Sequence, residues 1–244
     1  MRKVFLTSSP SGPLDNSRYV DGLDETNGFV ERLRSFWKPE SRNLMITAFP
    51  DNIEASEQMT GFFRYAVEKA GLRVSAFDLL DDRWQNFTRE DLLSYDVVWL
   101  GGGHVPTQNA FFKRLSLREK IKDFDGIVIG ISAGTMNSAD LVYSEPEEDG
   151  EAIDPNYNRW LRGLDLTKTM ILPHYQMVRG KWIDGTRLYE DQVFPDSMGH
   201  SIINLPDGSY LLSEGGKETI YGEAWLIRDG VERKICEQGE SLEL

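Results

Sequence analysis

Cysteine, histidine and positive charge are all scarce in this chain of 244 residues, and each shortage closes off a class of function. The single cysteine, Cys236, admits no intrachain disulfide, and it reads as a buried, inert thiol and not as a nucleophile. Lys and Arg number 27 against 40 Asp and Glu, a formal charge of -13. The clustered cations that hold a phosphate backbone are therefore missing, and nucleic acid is not an expected partner. An acidic balance is more often ordinary solubility than the mark of a cationic substrate. No run of about 18 apolar residues is available to span a membrane. The start, Met1-Arg2-Lys3-Val4-Phe5-Leu6-Thr7, falls short of the roughly 7–15 apolar residues of a signal-peptide core, so a cytoplasmic protein is expected. A hydrophobic content of 40% over this length suits one large domain covering residues 1–244.

What is present is an alternation. Residues 4–8 read as a buried strand that ends in the breaker-rich Ser9-Pro10-Ser11-Gly12-Pro13, a loop placed where it can line a site. Helical spacing of Phe29, Leu33, Phe36 and Trp37, a strand at 43–49 and an amphipathic helix at 56–70 stopped by Gly71 continue the pattern. A strand at 74–79 and a short helix begun by Thr88 follow, then helices at 107–115 and 117–124. Near-continuous apolar strands alternating with helices predict an α/β fold, a mostly parallel, doubly wound sheet with helices on both faces and its ligand crevice at the carboxyl ends of the strands. Beyond 133–139, short helices are expected at 157–161 and 181–193. Residues 210–244 read as an antiparallel β extension of the same domain, packing through Trp225, Ile227 and Val231.

Two turns on that crevice edge stand out. Residues 126–131 drive an apolar strand straight into Gly130-Ile131-Ser132-Ala133-Gly134, and small neighbours tolerate the strained backbone that would lift Ser132 clear of the sheet as a nucleophile. Tyr95-Asp96-Val97-Val98-Trp99-Leu100 runs into Gly101-Gly102-Gly103-His104, whose amides can point into a crevice as oxyanion donors or simply form a tight turn. No Gly-Lys-Ser/Thr ending accompanies these glycines, so a nucleotide cofactor is not indicated. His174, in Leu172-Pro173-His174-Tyr175, ends an apolar strand where a base can reach a neighbouring nucleophile. Of the other two histidines, His104 is a candidate substrate contact together with Gly103, and His200 reads as structural. The charge run Glu145-Pro146-Glu147-Glu148-Asp149-Gly150-Glu151 reads as a solvated loop more readily than as an acidic lip.

The glycine triplet, the Ser132 turn and the His174 motif, in that order, resemble the dipeptidase E and cyanophycinase family of serine peptidases, over roughly residues 43 to 212. The resemblance implies a fold like that of class I glutamine amidotransferase domains. It implies Ser132 as nucleophile, His174 as general base and the amides of Gly102 and Ala133 as oxyanion donors. Asp207, in Leu205-Pro206-Asp207-Gly208-Ser209, stands where cyanophycinase-like members carry a Glu after the His, and it is the implied third catalytic group. Dipeptidase E has an acid proposed between Ser and His, which would point instead to Glu145 or Glu147.

The resemblance also shows departures. His104 replaces the usual Asn after the glycines, and residues 133–158 contain no Arg or Lys to pair with an N-terminal aspartate of a substrate. The expectation is a small-peptide exopeptidase tolerant of neutral or basic N-terminal residues. It needs no metal and no cofactor, and a second copy of the chain is its candidate protein partner. The rivals are a non-catalytic binding or regulatory domain on the same fold and an α/β-hydrolase esterase, which would place its acid before its His.

Overall fold

Strands that are apolar on both faces must be covered on both sides, and the computed structural model, which describes residues 1–11 and 21–244, shows how. Gly12 and Pro13 of the expected breaker loop lie outside the described residues. Strands β1 (Lys3–Thr7), β2 (Ser41–Ile46), β3 (Val74–Leu80), β4 (Val97–Leu100) and β5 (Ile127–Ile131) run parallel in the order β1-β5-β4-β2-β3. Alternation sends Leu6, Leu44, Ile46, Val98, Leu100 and Val128 to one face and Phe5, Met45, Trp99, Ile127 and Ile129 to the other.

Helices α1 (Phe29–Phe36) and α2 (Ile53–Lys69) cover the second face with Leu33, Phe63 and Val67. Helices α3 (Arg89–Leu93), α4 (Val105–Arg114) and α5 (Leu117–Lys120) cover the first with Leu92, Phe111 and Leu117. Local signals set their ends. Thr88 accepts from the Asp91 amide while the Asp91 carboxylate accepts from the Thr88 amide, a reciprocal cap that starts α3. Gly71, at φ 75°, follows α2. The protein is thus a mixed α/β structure with a large, mostly parallel sheet between helices.

After β5 come α6 (Ala133–Met136), shorter than expected, then β6 (Leu141–Tyr143), β7 (Trp160–Arg162), β8 (Met170–Leu172) and α7 (Tyr175–Val178). The helix expected at 157–161 is absent. Side-chain oxygens of Asp154 and Asn158 accept from the amides of Asn156 and Trp160, which favours turns over helix, and Trp160 opens a strand. The helix expected at 181–193 is also replaced. Asp184 and Gly185 take φ of 49° and 78°, an Asp-Gly turn joining β9 (Trp182–Ile183) to β10 (Thr186–Arg187), and only Leu188–Val193 is helical, as a π-helix.

Helix α8 (Phe194–Asp196) precedes β11 (Ser201–Asn204), β12 (Tyr210–Glu214), β13 (Lys217–Tyr221), β14 (Ala224–Arg228), β15 (Val231–Cys236) and β16 (Ser241–Glu243). β12, β13 and β16 extend the large sheet antiparallel beyond β1. β14 and β15 join a second sheet of order β15-β14-β11-β8, in which β8 and β11 are parallel. Ile227 is buried there and Trp225 stacks on Tyr175 with ring centroids 3.9 Å apart. Val231, expected in the packing face, is 64% exposed at the start of the outer strand β15. Cys236 is buried, and burial pushes its thiol pKa up. His200 packs its ring against Trp160, centroids 4.3 Å apart. No helix among the described residues is long and apolar enough to cross a membrane.

Candidate active site

Parallel strands put their carboxyl ends on one edge, and β1, β5 and β4 are neighbours there. Ser8, Ser132 and Gly101 are the first residues past those strands. Ser132 adopts φ 48° and ψ −111°, a conformation that costs a non-glycine residue about 1–3 kcal/mol. Its amide is held by the carbonyls of Thr7 and Ser8, each at 3.2 Å. The flanking glycines have a steric reason. A Cβ on Gly130 would sit 2.8 Å from Thr135 Oγ1 and 2.9 Å from its backbone, and one on Gly134 would sit 2.1 Å from Leu100 O. The chain therefore folds back over β5 and presses α6 against β4 only with glycine at both places. A Cβ on Gly102 would lie 3.4 Å from Ser132 Cβ, so the middle glycine of the triplet packs directly on the serine.

The second sheet supplies the partners. β8 and β11 end in register, Leu172 beside Asn204, and His174 and Asp207 lie just past them. His174 Nε2 is 2.9 Å from Ser132 Oγ, and its Nδ1 is 2.7 Å from Asp207 Oδ1. His174 sits at φ 57°, and the next amide, of Tyr175, donates to Leu205 O at 3.2 Å. The Asp207 side chain is fully buried while His174 keeps 23% of its side chain exposed, so the imidazole faces the crevice and the carboxylate lies behind it.

Two residues absent from the sequence expectations complete this cluster. Ser8 donates to Asp207 Oδ1 at 2.7 Å and accepts from the His174 amide at 2.6 Å. Gln176 donates to Asp207 Oδ2 at 2.6 Å and accepts from the Asp207 amide at 3.1 Å. The signals were faint: Ser8 ends a strand ahead of a loop, and Gln176 merely follows His174 by two.

The structure does not bring Glu145 and Glu147 to His174. Glu145 is 3% exposed, contrary to the solvated loop expected, and its Oε2 has no hydrogen-bond partner among the described residues. Burial pushes its pKa up to about 7. Glu147 accepts from the Val105 amide, and burial, with the neighbouring charges of Glu145 and Glu151, raises it to about 8. His104 bridges Thr107 and Glu151, each at 2.8 Å, and so ties the end of the glycine turn to the acidic segment. His104, Glu148 and Glu151 also stand close enough together to ligate a cation, although exposed acids commonly cluster this way without one.

The arrangement of a strained serine, an imidazole on its oxygen and a buried carboxylate behind the imidazole is chemically suited to acyl transfer. The model of peptidase family S51 matches residues 22–221. Among solved structures, a peptidase from an acI-B1 actinobacterium superposes with a TM-score of 0.67 at 15% identity, covering 100% of this chain and 97% of that one. A chain described as a "Putative Peptidase E Protein" from Listeria monocytogenes EGD-e gives 0.60 at 16% identity, covering 96% and 99%. No curated protein matches the sequence.

Proposed function

The chain belongs to peptidase family S51 and is a serine peptidase, and from that premise we propose that it removes terminal residues from small peptides through an acyl-enzyme on Ser132. The observation that carries the reading is the His174 ring set between Ser132 Oγ and Asp207 Oδ1 at 2.9 and 2.7 Å.

Ser132 Oγ attacks the scissile carbonyl while His174 Nε2 takes its proton, and the carbonyl oxygen becomes an oxyanion held by the amides of Gly102 and Ala133. Collapse of the tetrahedral adduct breaks the C–N bond as His174 returns the proton to the leaving amine. Water, deprotonated by the same imidazole, then attacks the ester and releases Ser132. Asp207 orients the ring through Nδ1 and stabilises the imidazolium, a task for which its contacts with Ser8 and Gln176 suit it. Residues 1–244 act as one hydrolytic domain, since Ser8 and Asp207 from opposite ends of the chain meet in one site.

Substrate choice follows from charge. With no Arg or Lys in residues 133–158 to pair with an aspartate side chain, the acyl side favours neutral or basic N-terminal residues. Labelling by a fluorophosphonate probe, present in wild type and abolished in Ser132→Ala, is the expected result. Wild type left unlabelled, or labelled equally in Ser132→Ala, would contradict the mechanism. A dipeptide panel led by N-terminal aspartate would contradict the substrate assignment.

A further inference from the structure

Gly102 and Ala133 carry their amides on separate stretches of chain, the turn after β4 and the start of α6. Two donors on two turns act on one oxygen only if the turns are held in register. Three buried side-chain amides join them. Gln108, 0% exposed on α4, donates through Nε2 to Gly101 O at 2.7 Å, and its Oε1 accepts from Asn137 Nδ2 at 3.1 Å. Asn137, the residue after α6, donates also to Val105 O at 3.1 Å and accepts through Oδ1 from Asn109 Nδ2 at 2.8 Å. Asn109 Nδ2 reaches Arg162 O at 3.1 Å.

Backbone carbonyls only accept, so Gly101 O, Val105 O and Arg162 O fix which end of each amide faces which way. Burying three amides carries a desolvation cost that an apolar side chain of the same volume would avoid, so what the amides contribute is direction. The loose end, Asn109 Oδ1, buried and without a partner among the described residues, lies in the residue farthest along the network from Gly101.

The consequence runs through one peptide plane. Gly101 C=O and Gly102 N–H are opposite ends of the same planar trans peptide, so a donor fixed on the oxygen fixes the aim of the N–H. The Gly101 amide is itself held by Ile46 O at 2.9 Å, which leaves the Gly101–Gly102 peptide as the member that Gln108 orients. A hydrogen bond to the carbonyl also polarises the peptide and strengthens its N–H as a donor. Asn137 then ties that plane to the helix that starts at the nucleophile.

We propose that Gln108 is a positioning residue for the oxyanion donors, locked to the elbow helix by Asn137. This rests on the acyl-transfer reading of Ser132. The test is the second-order rate at which a fluorophosphonate labels Ser132, a reaction in which Oγ bonds to phosphorus, fluoride leaves and His174 takes the proton. Its phosphoryl oxygen requires the same two amides. Gln108→Met is expected to label about 10- to 100-fold more slowly, less than the full ~10²–10³ attached to losing a donor. In Gln108→Glu a neutral carboxylic acid donates to Gly101 O as the amide does, and a carboxylate does not. The ratio of its rate to that of wild type is therefore expected to climb as pH falls from about 8 to about 5, and the gap between the two melting temperatures narrows over the same range because a buried carboxyl that protonates in the fold stabilises it. A structural role alone would shift the melting gap and leave the rate ratio flat. Gln108→Met labelling within about twofold of wild type, or a flat ratio for Gln108→Glu, overturns the proposal; should Gln108→Met not fold, the ratio decides. Wild type without Ser132-dependent labelling would remove the acyl-transfer reading and this inference together, an outcome distinct from either.

Discussion

Asp207 Oδ1 lies 2.7 Å from His174 Nδ1, and the carboxylate that makes this contact is fully buried. Its second oxygen accepts from Gln176. Asp207→Asn would present an amide that can donate toward Nδ1 and so favour the wrong imidazole tautomer. A fall in kcat of about 10³–10⁴ is expected. Steady-state hydrolysis of a dipeptide panel reads it, and a variant retaining full activity would remove Asp207 from the mechanism.

Ser8→Ala strips Asp207 Oδ1 of a buried donor and leaves the His174 amide, now 2.6 Å from Ser8 Oγ, without its acceptor. Orphaning a buried group costs about 1–3 kcal/mol, so urea unfolding is expected to show a loss of that size. Labelling of Ser132 is expected to slow about tenfold through the loosened imidazole. Unchanged stability and rate would make Ser8 a bystander.

Two glycines predict opposite signs. Gly134→Ala would place a methyl group 2.1 Å from a backbone oxygen of β4, and a loss of about 3 kcal/mol or more is expected together with lost labelling. Gly61, inside α2, has nothing within 4 Å of its would-be Cβ. Gly61→Ala is expected to gain about 0.5–1 kcal/mol from helix propensity. Chemical denaturation of both variants against wild type distinguishes close packing from mere abundance of glycine.

Glu145 gives a pH signature. Its folded pKa of about 7 lies above the ordinary 4.5, so between those values the folded protein keeps a proton that the unfolded chain has lost. Stability from this group is full below about 4.5 and declines as pH rises through about 7, and Glu147, raised to about 8, acts in the same sense. Glu145→Gln is therefore expected to gain on wild type by up to about 3 kcal/mol as pH rises from about 5 to about 8. A constant stability difference across that range would contradict it.

The parallel strands and their covering helices were legible because each announces itself locally, as an apolar run ended by Gly, Pro or a capping Thr. Ser132 and His174 were legible for the same reason, at the ends of apolar runs, while Asp207 was indicated only by family resemblance. Ser8, Gln176 and the Gln108–Asn137–Asn109 amides were not, since their partners depend on strand order and on which loops converge, and neither has a local pattern. The misread segments had competing local signals. Asp184-Gly185 marks a hairpin, but its flanks carry enough Leu, Tyr and Arg to look helical, and Glu145 sits in a charge run whose ordinary fate is solvent.

Strand β1, Lys3–Thr7, is hydrogen-bonded on one side to β5 and on the other to β12, Tyr210–Glu214. During synthesis β1 emerges well before β12 and waits for that outer neighbour. Ser8 and Asp207 flank that late pairing, so a nascent or prematurely terminated chain would display the Ser132 turn without the carboxylate that completes its surroundings. Hydrolytic competence would then be acquired only once the Asp207 turn and β12 have been made, and fragments stalled short of them would be nearly inert toward the peptides around them.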